Sequence, residues 1–163
     1  MTCILAFDPG LANLGYALVS EKDNILSVRE MDTIKTSSGE ALEERLFSLG
    51  NAIDNLVLKY EPDVICTESV FLNMNQKSVM NVAMVIGLVG YFAASHSLPF
   101  FPYSPLQIKQ SVTGQGRATK EQVQQVLFHI FPTMRRTNVL HASDAVAVAY
   151  CHIRMTKFKK FIV

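Results

Sequence analysis

Apolar and polar positions change their period along the chain, and the changes mark its elements. Residues 2–8, 14–20 and 25–34 read as three strands separated by the short turns PGLAN and EKDN. From Gly39 the period lengthens: Leu42, Leu46, Leu49, Ile53 and Leu56 recur at three- and four-residue spacing, the stripe of a core-facing helix that Pro62 ends. Residues 64–68 (VICTE) read as a buried strand, 76–95 as a strongly apolar helix and 99–103 as a short strand. Pro105 opens a small helix to about Ser111, and VTGQGRATK forms a Gly-rich loop. Residues 119–131 predict a helix stopped by Pro132, and residues 140–157 the last helix. Three strands followed by strands alternating with helices predict an α/β fold, a mixed sheet flanked by helices. No repeat, low-complexity tract or linker interrupts residues 1–163, so a single domain is expected.

Composition narrows the class. With 49% hydrophobic and 18% charged residues, the chain is globular rather than disordered. No cationic segment followed by an apolar stretch opens it, so no secretory signal is expected. The longest nearly apolar run, VAMVIGLVGYFAA at 82–94, is shorter than a bilayer span and holds two glycines. It reads as a buried helix or a subunit interface, with no membrane role. Cys3, Cys66 and Cys151 are odd in number, lie in apolar segments and form no C-x-x-C pair. They are expected to be small core residues in a reducing compartment, the cytoplasm, and not a disulfide framework or zinc site.

The net charge of +1 conceals an asymmetry. Residues 1–100 carry 6 Lys/Arg against 12 Asp/Glu, whereas residues 101–163 carry 9 against 2. A basic half suggests a polyanionic partner, and a solvated Lys-rich tail is the plainer alternative.

Two carboxylates stand out by position. Asp8 closes the apolar run ILAF just before Pro9-Gly10, and Glu68 closes VICTE. If those strands are parallel neighbours, both acids emerge at one sheet edge, where desolvated carboxylates need a cation or a shared proton. Oxygen ligands of this kind suit Mg²⁺ or Mn²⁺. In HASDAVAVAY, residues 141–150, His141 and Asp144 are three apart and share a helix face, with Ala145 and Val148 placed to press that helix onto the sheet. Each piece alone has an ordinary explanation, a turn aspartate or a satisfied core histidine; their combination is more specific.

AFDPGLANLGYALV, TESVF, IKQSVTGQGRATKEQVQ and HASDAVAVAYCH resemble, in order and spacing, the motifs of the RuvC family of Holliday junction resolvases. The likeness covers nearly the whole chain. It implies a ribonuclease H-like fold with helices on both faces of the sheet, and a homodimer. Its two metal-dependent sites would make paired nicks in branched DNA, above all in four-way junctions. By this resemblance Asp8, Glu68 and Asp144 match the family's catalytic, metal-holding carboxylates. His141 stands where many members carry a fourth carboxylate, and some active relatives carry a histidine there. Imidazole suits Mn²⁺ better than Mg²⁺, so Mn²⁺ is expected to support cleavage at least as well. Two ions about 4 Å apart would activate water and stabilise the leaving 3′ oxygen. His141 would ligate one of them or orient the water. The implied products carry a 5′-phosphate and a 3′-hydroxyl.

Lys109, Arg117 and Lys120 surround TGQGRATK and are expected to hold DNA phosphates, a helix cap with solvated charges being the alternative. The loop is no nucleotide-binding P-loop, since G-x-x-x-x-G-K-[ST] is absent. Phe71 is expected to stack on an unpaired base, as the family's aromatic does at the matching place, with a core role as the alternative. Two other functions compete: a ribonuclease H-type hydrolase of RNA–DNA hybrids, and a junction-binding protein without catalysis. An actin-like ATPase also opens with strand, acid and glycine turn, but needs two such domains. A helicase partner is not legible in the sequence.

Overall fold

In the computed structural model of the chain, residues 1–70, 76–132, 134 and 140–161 are described. Strand β1 (Thr2–Asp8) runs through the middle of the molecule. Its Cys3, Leu5 and Phe7 join one hydrophobic cluster, whereas Ile4 and Ala6 join another. A strand with two apolar faces needs cover on both sides.

Around it, β2 (Asn13–Lys22), β3 (Ile25–Lys35), β4 (Val64–Glu68) and β5 (Phe100–Tyr103) complete a sheet of order β3-β2-β1-β4-β5. The β1–β2 and β2–β3 pairs are antiparallel, and the β1–β4 and β4–β5 pairs parallel. The β2–β3 hairpin turns through Asp23 and Asn24, whose φ angles of 52° and 63° are left-handed. Asp and Asn tolerate that region better than most residues, and it matches the twist of the flanking strands.

Two helices, α1 (Leu42–Tyr60) and α2 (Gln76–Ser95), cover the face carrying Leu5 and Phe7, through Leu49, Ile53, Val57, Val85, Val89 and Ala93. The other face is covered by α3 (Pro105–Thr113), α4 (Lys120–Ile130) and α5 (Leu140–Phe161). The expected mixed sheet with helices on both faces is therefore present. Fully buried side chains such as Leu5, Phe7 and Ile65 contribute roughly 1.5–3 kcal/mol each. Cys3, Cys66 and Cys151 are buried free thiols, as their apolar surroundings predicted.

A helix start differs from expectation. Helix α1 starts at Leu42 rather than near Gly39, because Ala41 is extended and its N–H donates to the Glu44 carboxylate at 3.1 Å. Helix α2 forms at the predicted 76–95; the run at 82–94 is shorter than a bilayer span, but the whole helix is, by length and composition, long and apolar enough to cross a membrane. Here Val85, Val89 and Ala93 pack on the sheet while Met80, Met84 and Tyr91 face outward.

Candidate active site

The parallel register carries the acids to one edge. Pairing of β1 with β4 ends at Phe7↔Thr67, so Asp8 and Glu68 leave the ladder one step further along neighbouring strands. Both occupy the alternation that sends Ile4, Ala6, Val64 and Cys66 toward the α5 side. The start of α5 lies over that edge. Its Ala142, Ala145 and Val148 are fully buried, and this packing leaves His141 and Asp144, one helical turn apart, half-buried at the edge.

Gly15 makes the approach possible. It pairs with Asp8 across the sheet, and a Cβ there would collide with the backbone carbonyl of His141. The absent side chain lets the first turn of α5 sit directly on β2.

The Nδ1 of His141 lies 2.8 Å from Asp8 Oδ2. A carboxylate oxygen accepts, so Nδ1–H donates, and in the neutral imidazole Nε2 keeps its lone pair. Across the site, the Lys120 ammonium pairs with Asp144 Oδ2. Ligand atoms of Asp8, His141 and Asp144 all lie within 4.8 Å of one another, a group able to hold a metal ion. Glu68 stands outside this triad and joins two cavities. One, of about 340 Å³, is lined by Asp8, Gly10, Asn13, Glu68 and His141 among others. The second, of about 190 Å³, is lined by Glu68, Lys109, Lys120 and Asp144 with apolar neighbours.

Negative charge at this edge is under-compensated. Burial, then Asp8, then Asp144 push the Glu68 carboxyl up to about 7. Burial also raises Asp144, against the hydrogen bond from Lys120 that lowers it. The hydrogen bond to Asp8 raises His141 above the ordinary imidazole value. Carboxylates held close in a desolvated corner, with one imidazole nitrogen among them, fit a hard or borderline divalent cation.

Comparison with known proteins shows the family. The family described as crossover junction endodeoxyribonuclease RuvC matches residues 4–152. The chain belongs to the RuvC family. It is 37% identical over 155 residues to the crossover junction endodeoxyribonuclease RuvC of Alkaliphilus oremlandii, covering 95% of this chain and 94% of that protein. To the protein of the same name from Alkaliphilus metalliredigens it is 38% identical over 156 residues, covering 96% and 95%. In fold it superposes on the T. thermophilus RuvC solved in complex with a Holliday junction substrate, with a TM-score of 0.90, 24% identity and coverage of 98% and 97%.

In this RuvC-family chain, the four residues singled out for catalysis (Asp8, Glu68, His141 and Asp144) come together at one sheet edge. Lys109 and Lys120 wall the smaller cavity beside Glu68 and Asp144. Arg117 is exposed in the loop between α3 and α4, outside the lining of both cavities. Phe71 lies outside the described residues. Sequence reasoning passed over Gly15 and Asn13. A glycine inside an apolar strand was the available signal, since it often marks close backbone approach. It also assigned Lys120 to DNA alone, whereas the ammonium sits on a carboxylate of the site.

Proposed function

We propose that this chain resolves four-way DNA junctions by paired, metal-dependent phosphodiester hydrolysis, leaving 5′-phosphate and 3′-hydroxyl ends. The observation that carries this reading is the convergence of Asp8, Glu68, His141 and Asp144 beside a wall of Lys109 and Lys120. Asp8, Glu68 and Asp144 hold Mg²⁺ or Mn²⁺, two ions per site, and His141 offers Nε2 as the nitrogen ligand. A bound divalent cation supplies Lewis acidity at the phosphodiester and lowers the pKa of a bound water. Lys109, Lys120 and Arg117 position the phosphates, and their charge offsets that of the DNA. Phe71 stacks on an unpaired base.

A resolvase cuts two strands, so two copies are needed at one junction. The outward stripe of α2, with Met80, Met84 and Tyr91 exposed at 59%, 36% and 66%, supports a homodimer formed through this helix. On this reading α2 meets a second copy rather than a bilayer, and the protein works in the cytoplasm, where DNA is found.

End-labelled four-way junction, linear duplex and RNA–DNA hybrid, incubated in Mg²⁺ and in Mn²⁺, test the proposal. Paired cuts in the junction are expected, with Mn²⁺ at least as effective as Mg²⁺. Asp8→Asn, which removes a ligand, should lower cleavage beyond the about 10–100-fold that changes around a metal's ligands cost. Cutting of the hybrid alone would indicate a ribonuclease H-type activity, and junction binding without cleavage a non-catalytic binder. Activity in Mg²⁺ and none in Mn²⁺ would overturn the role given to His141.

A further inference from the structure

One oxygen of the acidic site already carries a cation. Lys120 is the first residue of α4, and its ammonium rests on Asp144 Oδ2. Local chemistry fixes where it stands. The Thr119 hydroxyl accepts from the Gln122 N–H, and Gln122 Oε1 accepts from the Thr119 N–H, which together set the start of α4. Val123 and Leu127 are buried in the cluster that also holds α5, and Gln124 Nε2 donates to Ser143 Oγ at 3.0 Å, next to Asp144. The Lys120 stem then lies on the wall of the smaller cavity, and the charges of Asp8 and Glu68 act on it as well as that of Asp144. Lys109 lines the same cavity but forms no ion pair among the described residues.

An ammonium and a divalent ion compete for the same oxygen, since both need its lone pairs and they repel each other at such range. We infer that Lys120 is a built-in counter-ion that a divalent cation must displace from Asp144, an inference resting on Asp8, His141 and Asp144 being metal ligands. Metal loading is then an exchange of cations and not a simple addition. The free protein binds metal more weakly than its donors alone would, and the displaced ammonium joins Lys109 on the cationic wall.

Calorimetric titration of Mn²⁺ into the free protein, without DNA, tests this. Lys120→Gln should bind Mn²⁺ about tenfold more tightly than wild type, within the usual range of coupling between two ligands of one site. Lys120→Arg, which keeps the cation, should stay near wild type. Lys109→Gln, which removes a charge from the same cavity, should gain far less. Lys120→Met keeps the aliphatic stem and must reproduce the gain of the Gln variant. Thermal melts of the metal-free variants verify that each is folded.

If Lys120→Gln binds Mn²⁺ no more tightly than wild type while Asp144→Asn abolishes binding, the exchange is wrong and the metal reading stands. An equal gain in Lys109→Gln would replace the exchange with a general field effect. Absence of Mn²⁺ binding in wild type and Lys120→Gln alike would overturn the metal reading, and the exchange with it.

Discussion

Glu68 shows how burial and neighbours act together on a single carboxyl. Its folded value near 7, set by burial and then by Asp8 and Asp144, lies above the ordinary 4.5. The folded state therefore holds this proton more tightly than the unfolded chain. The stability it contributes is complete below about pH 4.5 and is lost as pH rises through about 7. In chelator at pH 8, the ionised Glu68 costs the metal-free protein on the order of 3 kcal/mol. Glu68→Gln should accordingly raise the melting temperature at pH 8 and leave it nearly unchanged at pH 5. A lower melting temperature at pH 8 would contradict the assignment. Gly15 acts through space rather than charge. Gly15→Ala forces the His141 backbone away from β2, and overpacking of this kind costs about 1–3 kcal/mol. Junction cleavage measured well below the melting temperature should fall further than that loss of stability explains, because His141 moves with the helix. A glycine inside an apolar strand signals a close approach but not its partner, which is a helix starting 125 residues further along the chain.

The elements were legible to different degrees. β1 and β4 match the predicted 2–8 and 64–68, because unbroken apolar runs closed by an acid leave little choice of register. Predicted at 119–131, α4 forms at Lys120–Ile130, with Thr119 as its cap and Pro132 just beyond. The N-terminus of α1 was misplaced, since the capping bond from Ala41 to Glu44 depends on a backbone conformation that composition does not reveal. The meeting of Asp8 and Glu68 at one sheet edge was legible because each closes an apolar strand, and the two strands pair in parallel. The pairing of Lys120 with Asp144 was not, because it depends on how α4 packs against α5. Helix α2 was legible as apolar, but its partition into an inner and an outer stripe follows from packing on the sheet. If the outer stripe joins two copies, Tyr91→Glu places a charge in that contact. Sedimentation should then show a monomer in place of a dimer, with melting little changed because Tyr91 is 66% exposed. A variant that remains dimeric would move the contact elsewhere.

At the scale of the molecule, the charge split along the sequence becomes a split between faces. Helices α3, α4 and α5 all lie on one face and all come from the basic part of the chain, with Lys109, Arg117, Lys120, Arg154 and Lys157 among its described cations. The acidic site opens within that basic face, so the field that attracts a polyanion also surrounds the carboxylates of the site. Helix α5 reaches all five strands and also bears His141 and Asp144. Beyond its first turn, it cannot come off without exposing the whole cluster beneath it, so local opening there costs as much as unfolding the protein. Amide protons of residues 145–151 should exchange at the same free energy as those of Leu5 and Ala6 in native-state hydrogen exchange. The fold thus ties the body of α5 to the sheet: a population that still has its sheet still has the helix that carries His141 and Asp144 at its start.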